Sequence, residues 1–160
     1  RKVCDLLTKD LVEVTLRKLN TAMQSWGVAK PRIVVAGLNA HAMGQEDTEQ
    51  IAPAVAQARS EGIDATGPMS PDTVFRQCIE GRFDIVLAMY HDQGHIAIKT
   101  WGFSGNSAII LGPPYTHLSV AHQFPSVSST IFRGKQLAYY GASASLFGVF
   151  RSICHRLVGK

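Results

Sequence analysis

The 160-residue sequence predicts an α/β fold, a mostly parallel sheet flanked by helices, and three observations carry that prediction. Two short, continuous apolar runs rich in β-branched residues, Ile33-Val34-Val35-Ala36-Gly37-Leu38 and Phe83-Asp84-Ile85-Val86-Leu87-Ala88-Met89-Tyr90, have the character of strands buried on both faces, as in parallel sheets. Segments with helical spacing alternate with these runs. No internal repeat and no low-complexity linker interrupts the alternation, and the length suits one domain or part of a larger one.

Taken in order, Thr8 is placed to cap a helix whose apolar residues Leu11, Val12, Leu16, Leu19, Met23 and Trp26 recur at three- and four-residue steps and stop at Gly27. Pro31 ends a short loop before the first strand. After a polar loop, Ile51, Val55 and Ala58 have helical spacing up to Arg59, with Pro53 in the first turn and Gly62 as the stop. Ser70-Pro71-Asp72-Thr73 reads as the N-cap and first turn of another helix running towards Gly81. The second buried strand follows, and Ala108-Ile109-Ile110-Leu111 is a candidate third. The stretch from Leu137 to Leu157 reads as a helix weakened by Gly141 and Gly148.

Charge is distributed unevenly. Up to Asp92 there are 10 Lys+Arg and 12 Asp+Glu, whereas from Gln93 onwards there are 6 Lys+Arg and no acid. The six cations (Lys99, Arg133, Lys135, Arg151, Arg156, Lys160) form no run, which argues against a nucleic-acid partner. No window approaches the roughly 20 apolar residues needed to cross a bilayer, and the first ten residues lack a signal-peptide core, so the expected location is the cytoplasm, with no membrane partner. Cys4, Cys78 and Cys154 are odd in number and far apart, which supports neither a disulfide framework nor a clustered zinc site.

Both predicted strands lead directly into a histidine, His41 after the first and His91 after the second. In open parallel sheets ligands bind in the crevice beyond the carboxyl ends of the strands. Each imidazole either caps a strand end or serves as a metal ligand that, with an open position, polarises a substrate hydroxyl or carbonyl. Asp72 and Asp92 stand close to helix starts, and His91-Asp92-Gln93-Gly94-His95 forms a dense polar cluster that reads as a turn after an apolar strand. Lys99 either binds a carboxylate or phosphate or is a solvated surface lysine. Gly102-Phe103-Ser104-Gly105-Asn106-Ser107 either wraps a phosphate with backbone N–H groups or is a tight connection into the next strand. The dinucleotide glycine fingerprint, the phosphate-loop motif, H-E-x-x-H and the G-x-S-x-G elbow are all absent.

The segments Gly37-Leu38-Asn39-Ala40-His41-Ala42, Gly67-Pro68-Met69-Ser70-Pro71-Asp72-Thr73-Val74-Phe75 and Leu87-Ala88-Met89-Tyr90-His91-Asp92-Gln93-Gly94-His95-Ile96-Ala97-Ile98-Lys99 together resemble the PdxA family of 4-hydroxythreonine-4-phosphate dehydrogenases. The resemblance covers residues 1–122 and leaves 123–160 as a divergent basic tail. It implies an isocitrate/isopropylmalate dehydrogenase-like fold. It also implies NAD- or NADP-dependent oxidation, with decarboxylation, of a small phosphorylated hydroxy acid on the way to pyridoxal phosphate. A homodimer with a shared site is implied, as is a divalent metal (zinc, magnesium or cobalt) held by three histidines. Two of these carry over to His41 and His91, while the third belongs to a stretch that would precede Arg1. Lys99 matches a substrate-binding lysine, Asp72 and Asp92 match active-site acids, and His117 stands where the family has a substrate-binding arginine. Ala108 replaces a substrate-contacting asparagine. Both replacements leave the substrate open, with sugar-acid phosphates and dicarboxylate dihydrodiols as further options in the family, and an inactive remnant is the alternative to an enzyme.

Overall fold

Helix α2 (Lys9–Ser25) shows how closely the local sequence dictates the first element. The hydroxyl oxygen of Thr8 accepts the Leu11 N–H at 3.3 Å, and Val12, Leu16, Leu19, Ala22 and Met23 are buried along one face. Gly27 takes φ +95°, the left-handed conformation that ends the helix at low cost. Glu13 lies on the buried face too, because Lys9 Nζ (2.6 Å) and Arg17 Nη2 (2.9 Å) neutralise it from one turn on either side. Arg17 also binds Glu61 through Nε and Nη2, both at 2.6 Å, and so ties α2 to the end of helix α3 (Ala52–Ser60).

A computed structural model of the protein describes residues 2–101, 107–110, 117–120 and 147–149. The chain divides into two compact units, Arg1–Ala97 with Ser145–Lys160, and Ile98–Ala144. In the first, α1 (Lys2–Leu6) and α2 precede β1 (Ile33–Ala36). A 3-10 turn (Ala40–Ala42) and a π-helical turn (Asp47–Ile51) then lead into α3 (Ala52–Ser60). They are followed by β2 (Ala65–Met69), α4 (Val74–Ile79), β3 (Ile85–Ala88) and α5 (His91–Trp101), whose last residues belong to the second unit. The second unit holds β4 (Ser107–Ile110) and β5 (His117–Val120), an antiparallel pair in which Ile110 stands opposite His117. Strand β6 (Phe147–Val149) returns to the first unit.

The main sheet has the order β2-β1-β3-β6, with β1, β2 and β3 parallel and β6 antiparallel to β3. Side chains of the two central strands alternate between two cores. Ile33, Val35, Ile85, Leu87 and Met89 pack with Val12, Leu16, Met23, Ile51, Val55 and Ala58 from α2 and the α3 region. Val34, Ala36, Val86 and Ala88 pack with Val74, Phe75 and Cys78 of α4, and Ala97 of α5 lies against them. Both faces are therefore covered, as the continuous apolar runs predict, and full burial of each Val, Leu, Ile, Phe or Met side chain among them stabilises by about 1.5–3 kcal/mol. At the amino ends of β1 and β3, Asp84 accepts the Arg32 backbone N–H (2.9 Å) and two guanidinium N–H groups (3.0 and 2.8 Å), fixing the register Ile33 to Ile85. Burial pushes the nearby Cys78 thiol up to about 11.

Several expectations are corrected. The third parallel strand is β2, not the Ala108 run, which lies in the separate antiparallel pair. Gly67 and Pro68 disguise β2 in the sequence; here they sit at a bulge on the edge strand, where the ladder shifts register between Val34 and Ala36. Helical structure before α3 begins at Gln45 rather than Ile51, on polar residues that hide it. Ser70 does not cap α4: its hydroxyl bonds Asp72, its carbonyl accepts the Thr73 and Val74 N–H groups, and the helix starts at Val74. His91 to His95 are the opening of α5, not a turn. Phe147–Val149, expected inside a helix, forms a strand alongside β3, and the rest of the Leu137 to Leu157 stretch lies outside the described residues.

The Arg17–Glu61 pair gives an expected pH dependence. The guanidinium, helped by Gln57, holds the Glu61 carboxyl down to about 2 from 4.5. A carboxyl depressed in the folded state contributes stability above its unfolded pKa and loses it as pH falls through the folded value. The expected result is a melting temperature that falls between about pH 5 and about pH 2 more steeply in the parent than in Glu61→Gln. Parallel acid limbs for the two proteins would remove the pair from the stability of the fold.

Candidate active site at the carboxyl edge of the sheet

Because β1, β2 and β3 run parallel, their carboxyl ends share one edge of the sheet. From β1 the chain passes through Gly37 to His41, from β2 through Ser70 to Asp72, and from β3 through Met89 to His91 and Asp92. The topology thus brings four of the sequence-predicted residues, His41, Asp72, His91 and Asp92, to the edge where open α/β sheets bind ligands. Lys99, exposed in the last turn of α5, and His117, in β5, belong to the second unit.

The β1 loop is built around a carboxylate the sequence reading passed over. Asp47 is completely buried and accepts the backbone N–H groups of Leu38 (2.6 Å), Asn39 (3.2 Å) and Gly44 (2.9 Å). Those bonds close the loop on itself and force His41 and Ala42 into left-handed conformations, φ +57° and +55°. Asn39 bonds Glu46 at 2.9 Å. The Cys4 thiol and then Asn39 hold the Glu46 carboxyl below its ordinary range, while Cys4 itself is pushed up. Gly37 is required by closeness rather than by φ, since a Cβ there would meet Ala42 Cβ at 2.6 Å.

Gln93 joins the two strand ends that carry the histidines. Its Oε1 accepts the Met89 N–H and its Nε2 donates to the Gly37 carbonyl, both at 2.8 Å. One amide therefore satisfies a β3 donor and a β1 acceptor just where the ladder stops, and it fixes the separation of the loops that follow. On the α5 side, His91 Nδ1 bonds Asp92 Oδ1 at 2.7 Å, and the His91 and His95 rings stack with centroids 4.0 Å apart and planes 10° from parallel. Asp72 accepts the Ser70 hydroxyl at 2.7 Å.

These residues fit part of a metal shell. Two exposed imidazoles stand beyond neighbouring strands, and a carboxylate on Nδ1 of one is the outer-sphere arrangement that fixes the tautomer of a metal-binding histidine. Among the described residues no group of three His, Cys, Asp or Glu side chains forms a complete site. His41 and His91 thus stand on loops of one edge, and a complete shell would need a further donor.

Asp47, Gln93 and His95 were not singled out from sequence. Asp47 looks like an ordinary acid in a polar loop, Gln93 lies in the polar cluster with no spacing that points to Gly37, and the four-residue spacing of His91 and His95 means a contact only once that cluster is a helix.

Residues 1–124 match the family described as pyridoxal phosphate biosynthetic protein PdxA. A Novosphingobium aromaticivorans protein, provisionally named 4-hydroxythreonine-4-phosphate dehydrogenase, is 66% identical over 122 residues, covering 76% of this chain and 37% of the relative. A D-threonate 4-phosphate dehydrogenase of Salmonella typhimurium is 44% identical over 127 residues, covering 76% and 39%. A solved Salmonella typhimurium structure, provisionally titled as a 4-hydroxythreonine-4-phosphate dehydrogenase, superposes with a TM-score of 0.71 at 46% identity, covering 76% of this chain and 38% of that one. The chain therefore spans between a third and two fifths of the length of these relatives. Its strand-end histidines, parallel sheet and sequence agree on one conclusion: the chain belongs to the PdxA family.

Proposed function

We propose that the carboxyl edge of this sheet is part of the active site of a metal- and nicotinamide-dependent dehydrogenase acting on a small phosphorylated hydroxy acid. Relatives named for 4-hydroxythreonine 4-phosphate and D-threonate 4-phosphate supply the substrate class. The observation that carries the reading is the placement of His41, His91, Asp72 and Asp92 on adjacent loops of one sheet edge. His41 and His91 would hold the divalent ion. The ion would supply Lewis acidity that makes the substrate hydroxyl more acidic, and a nicotinamide, NAD or NADP, would supply the hydride acceptor.

The two acids divide the remaining work. Asp92 is committed to the His91 ring and orients it. Asp72, exposed and held at Oδ1 by the Ser70 hydroxyl, has Oδ2 to accept the substrate hydroxyl proton. Lys99 and His117 are proposed to pair with the anionic groups of the substrate, a role in which imidazole is a weaker partner than the bidentate guanidinium it replaces. Residues 1–122 form the family segment in this reading and 123–160 a divergent basic tail. The protein acts as a cytoplasmic homodimer whose partner completes the site, and none of its helices among the described residues is long and apolar enough to cross a membrane.

The test is nicotinamide reduction by the purified protein with each of the two phosphorylated acids, with and without zinc, magnesium or cobalt. Turnover that requires the ion, vanishes in His91→Ala and falls by about 100-fold or more in Asp72→Asn is expected. Turnover indifferent to the ion and to His91→Ala would refute the assignment. Complete inactivity under all conditions would refute turnover of either acid by this chain.

A further inference from the structure

We infer that His95 is a positioning residue for His91, its imidazole acting as a plate against which the His91 ring is held in the orientation used for ligation. The inference rests on the proposed role of His91 and adds a residue to which no role has been given. His91 opens α5, and its ring is more than half exposed, so it starts with several accessible rotamers. Two of its contacts bear on the ring's orientation. In the ring plane, Nδ1 bonds Asp92 Oδ1 at 2.7 Å. Across the ring face, His95 stacks at 4.0 Å with planes only 10° apart.

Helix geometry explains why His95 can do this. Residues four apart lie on the same face about one turn apart, and side chains there meet directly. Near-parallel rings with centroids this close are in face-to-face contact, so rotation of His91 about χ1 or χ2 would break the stack and the Asp92 bond together. A carboxylate alone fixes one nitrogen but lets the ring rock about that bond. The plate removes the rocking. The parallel stack also argues against His95 as a second ligand to the same ion, because nitrogens of two face-to-face rings point side by side rather than converge on one point.

The test compares the parent with His95→Ala, His95→Phe and His91→Ala by two readouts. The first is made without metal: ring nitrogen and proton resonances of His91, which report its tautomer and its motion. A single Nδ1-protonated, rigid ring is expected in the parent and in His95→Phe, and a mobile, averaged ring in His95→Ala. The second is cobalt affinity followed by visible absorbance, expected to fall by about 10-fold in His95→Ala, the size typical of outer-sphere partners, to recover in His95→Phe, and to vanish in His91→Ala. A rigid His91 ring and unchanged affinity in His95→Ala would overturn the inference, as would His95→Phe losing the ion as completely as His91→Ala, which would make His95 a ligand. Absence of cobalt binding in the parent would refute His91 as a ligand, and the metal-free ring motion would still decide whether His95 positions it.

Discussion

Replacing Asp47 by alanine is expected to lower the unfolding free energy by about 3–4 kcal/mol and to release the loop that carries His41. The carboxylate is fully buried and accepts three backbone N–H groups. Hydrogen bonds to a charged acceptor contribute about 1.5–3 kcal/mol each, and their loss leaves the donors without partners. The sum overstates the effect, because the three bonds act on one loop and water reaches the opened donors of Leu38, Asn39 and Gly44, which are only partly buried. Asp47→Asn keeps one acceptor oxygen of the right shape and should cost about half as much. Urea unfolding of the three proteins measures the difference, and an Asp47→Ala protein within about 1 kcal/mol of the parent would show that the loop is held by something else.

Gly37→Ala is expected to be damaging as well, at about 2 kcal/mol, and to act on the same loop. The added methyl would lie 2.6 Å from Ala42 Cβ, 2.8 Å from Ala42 Cα and 3.2 Å from Asp47 Oδ1. None of these is the yielding end of a flexible side chain. Ala42 is the residue after His41 and already has a left-handed backbone, so its displacement moves the imidazole. Gly62→Ala is the control: Gly62 has φ +84° and nothing within 4 Å of a Cβ, so alanine there costs only the backbone conformation, about 1 kcal/mol, and leaves the His41 loop in place. Equal losses in stability and in metal affinity for the two variants would contradict the claim that Gly37 is needed for close approach.

Periodicity carried most of the fold and little of the site's support. Helix α2 was legible from Thr8 to Gly27 because capping, apolar spacing and termination all agree there. Strands β1 and β3 were legible because burial on both faces removes the polar alternation that would otherwise blur a short strand. Strand β2 was not, since a Gly-Pro pair inside it signals a break, and only the bulge on an edge strand makes that pair acceptable. The opening of α5 was also hidden, because a glycine and two histidines in five residues resemble a loop until Gly94 is seen buried within the helix.

The histidines and acids at the strand ends were legible because a parallel topology turns a one-dimensional pattern, strand followed by a chemical residue, into a shared edge. What holds them was not. Asp47 reaches back nine residues to Leu38, and Gln93 reaches across to Gly37, contacts that no local spacing announces. Of the two acids that sequence left undivided, Asp92 is set apart by its bond to His91 and Asp72 by its bond to Ser70.

The central claim is that the loops following β1 and β3 form one metal-binding edge, and calorimetric titration of zinc into the protein, with His41→Ala and His91→Ala alongside, tests it most directly. The expected result is stoichiometric binding in the parent that is lost in both variants, because each removes a ligand from the same ion. Absence of binding, or binding that survives both substitutions, would contradict the claim.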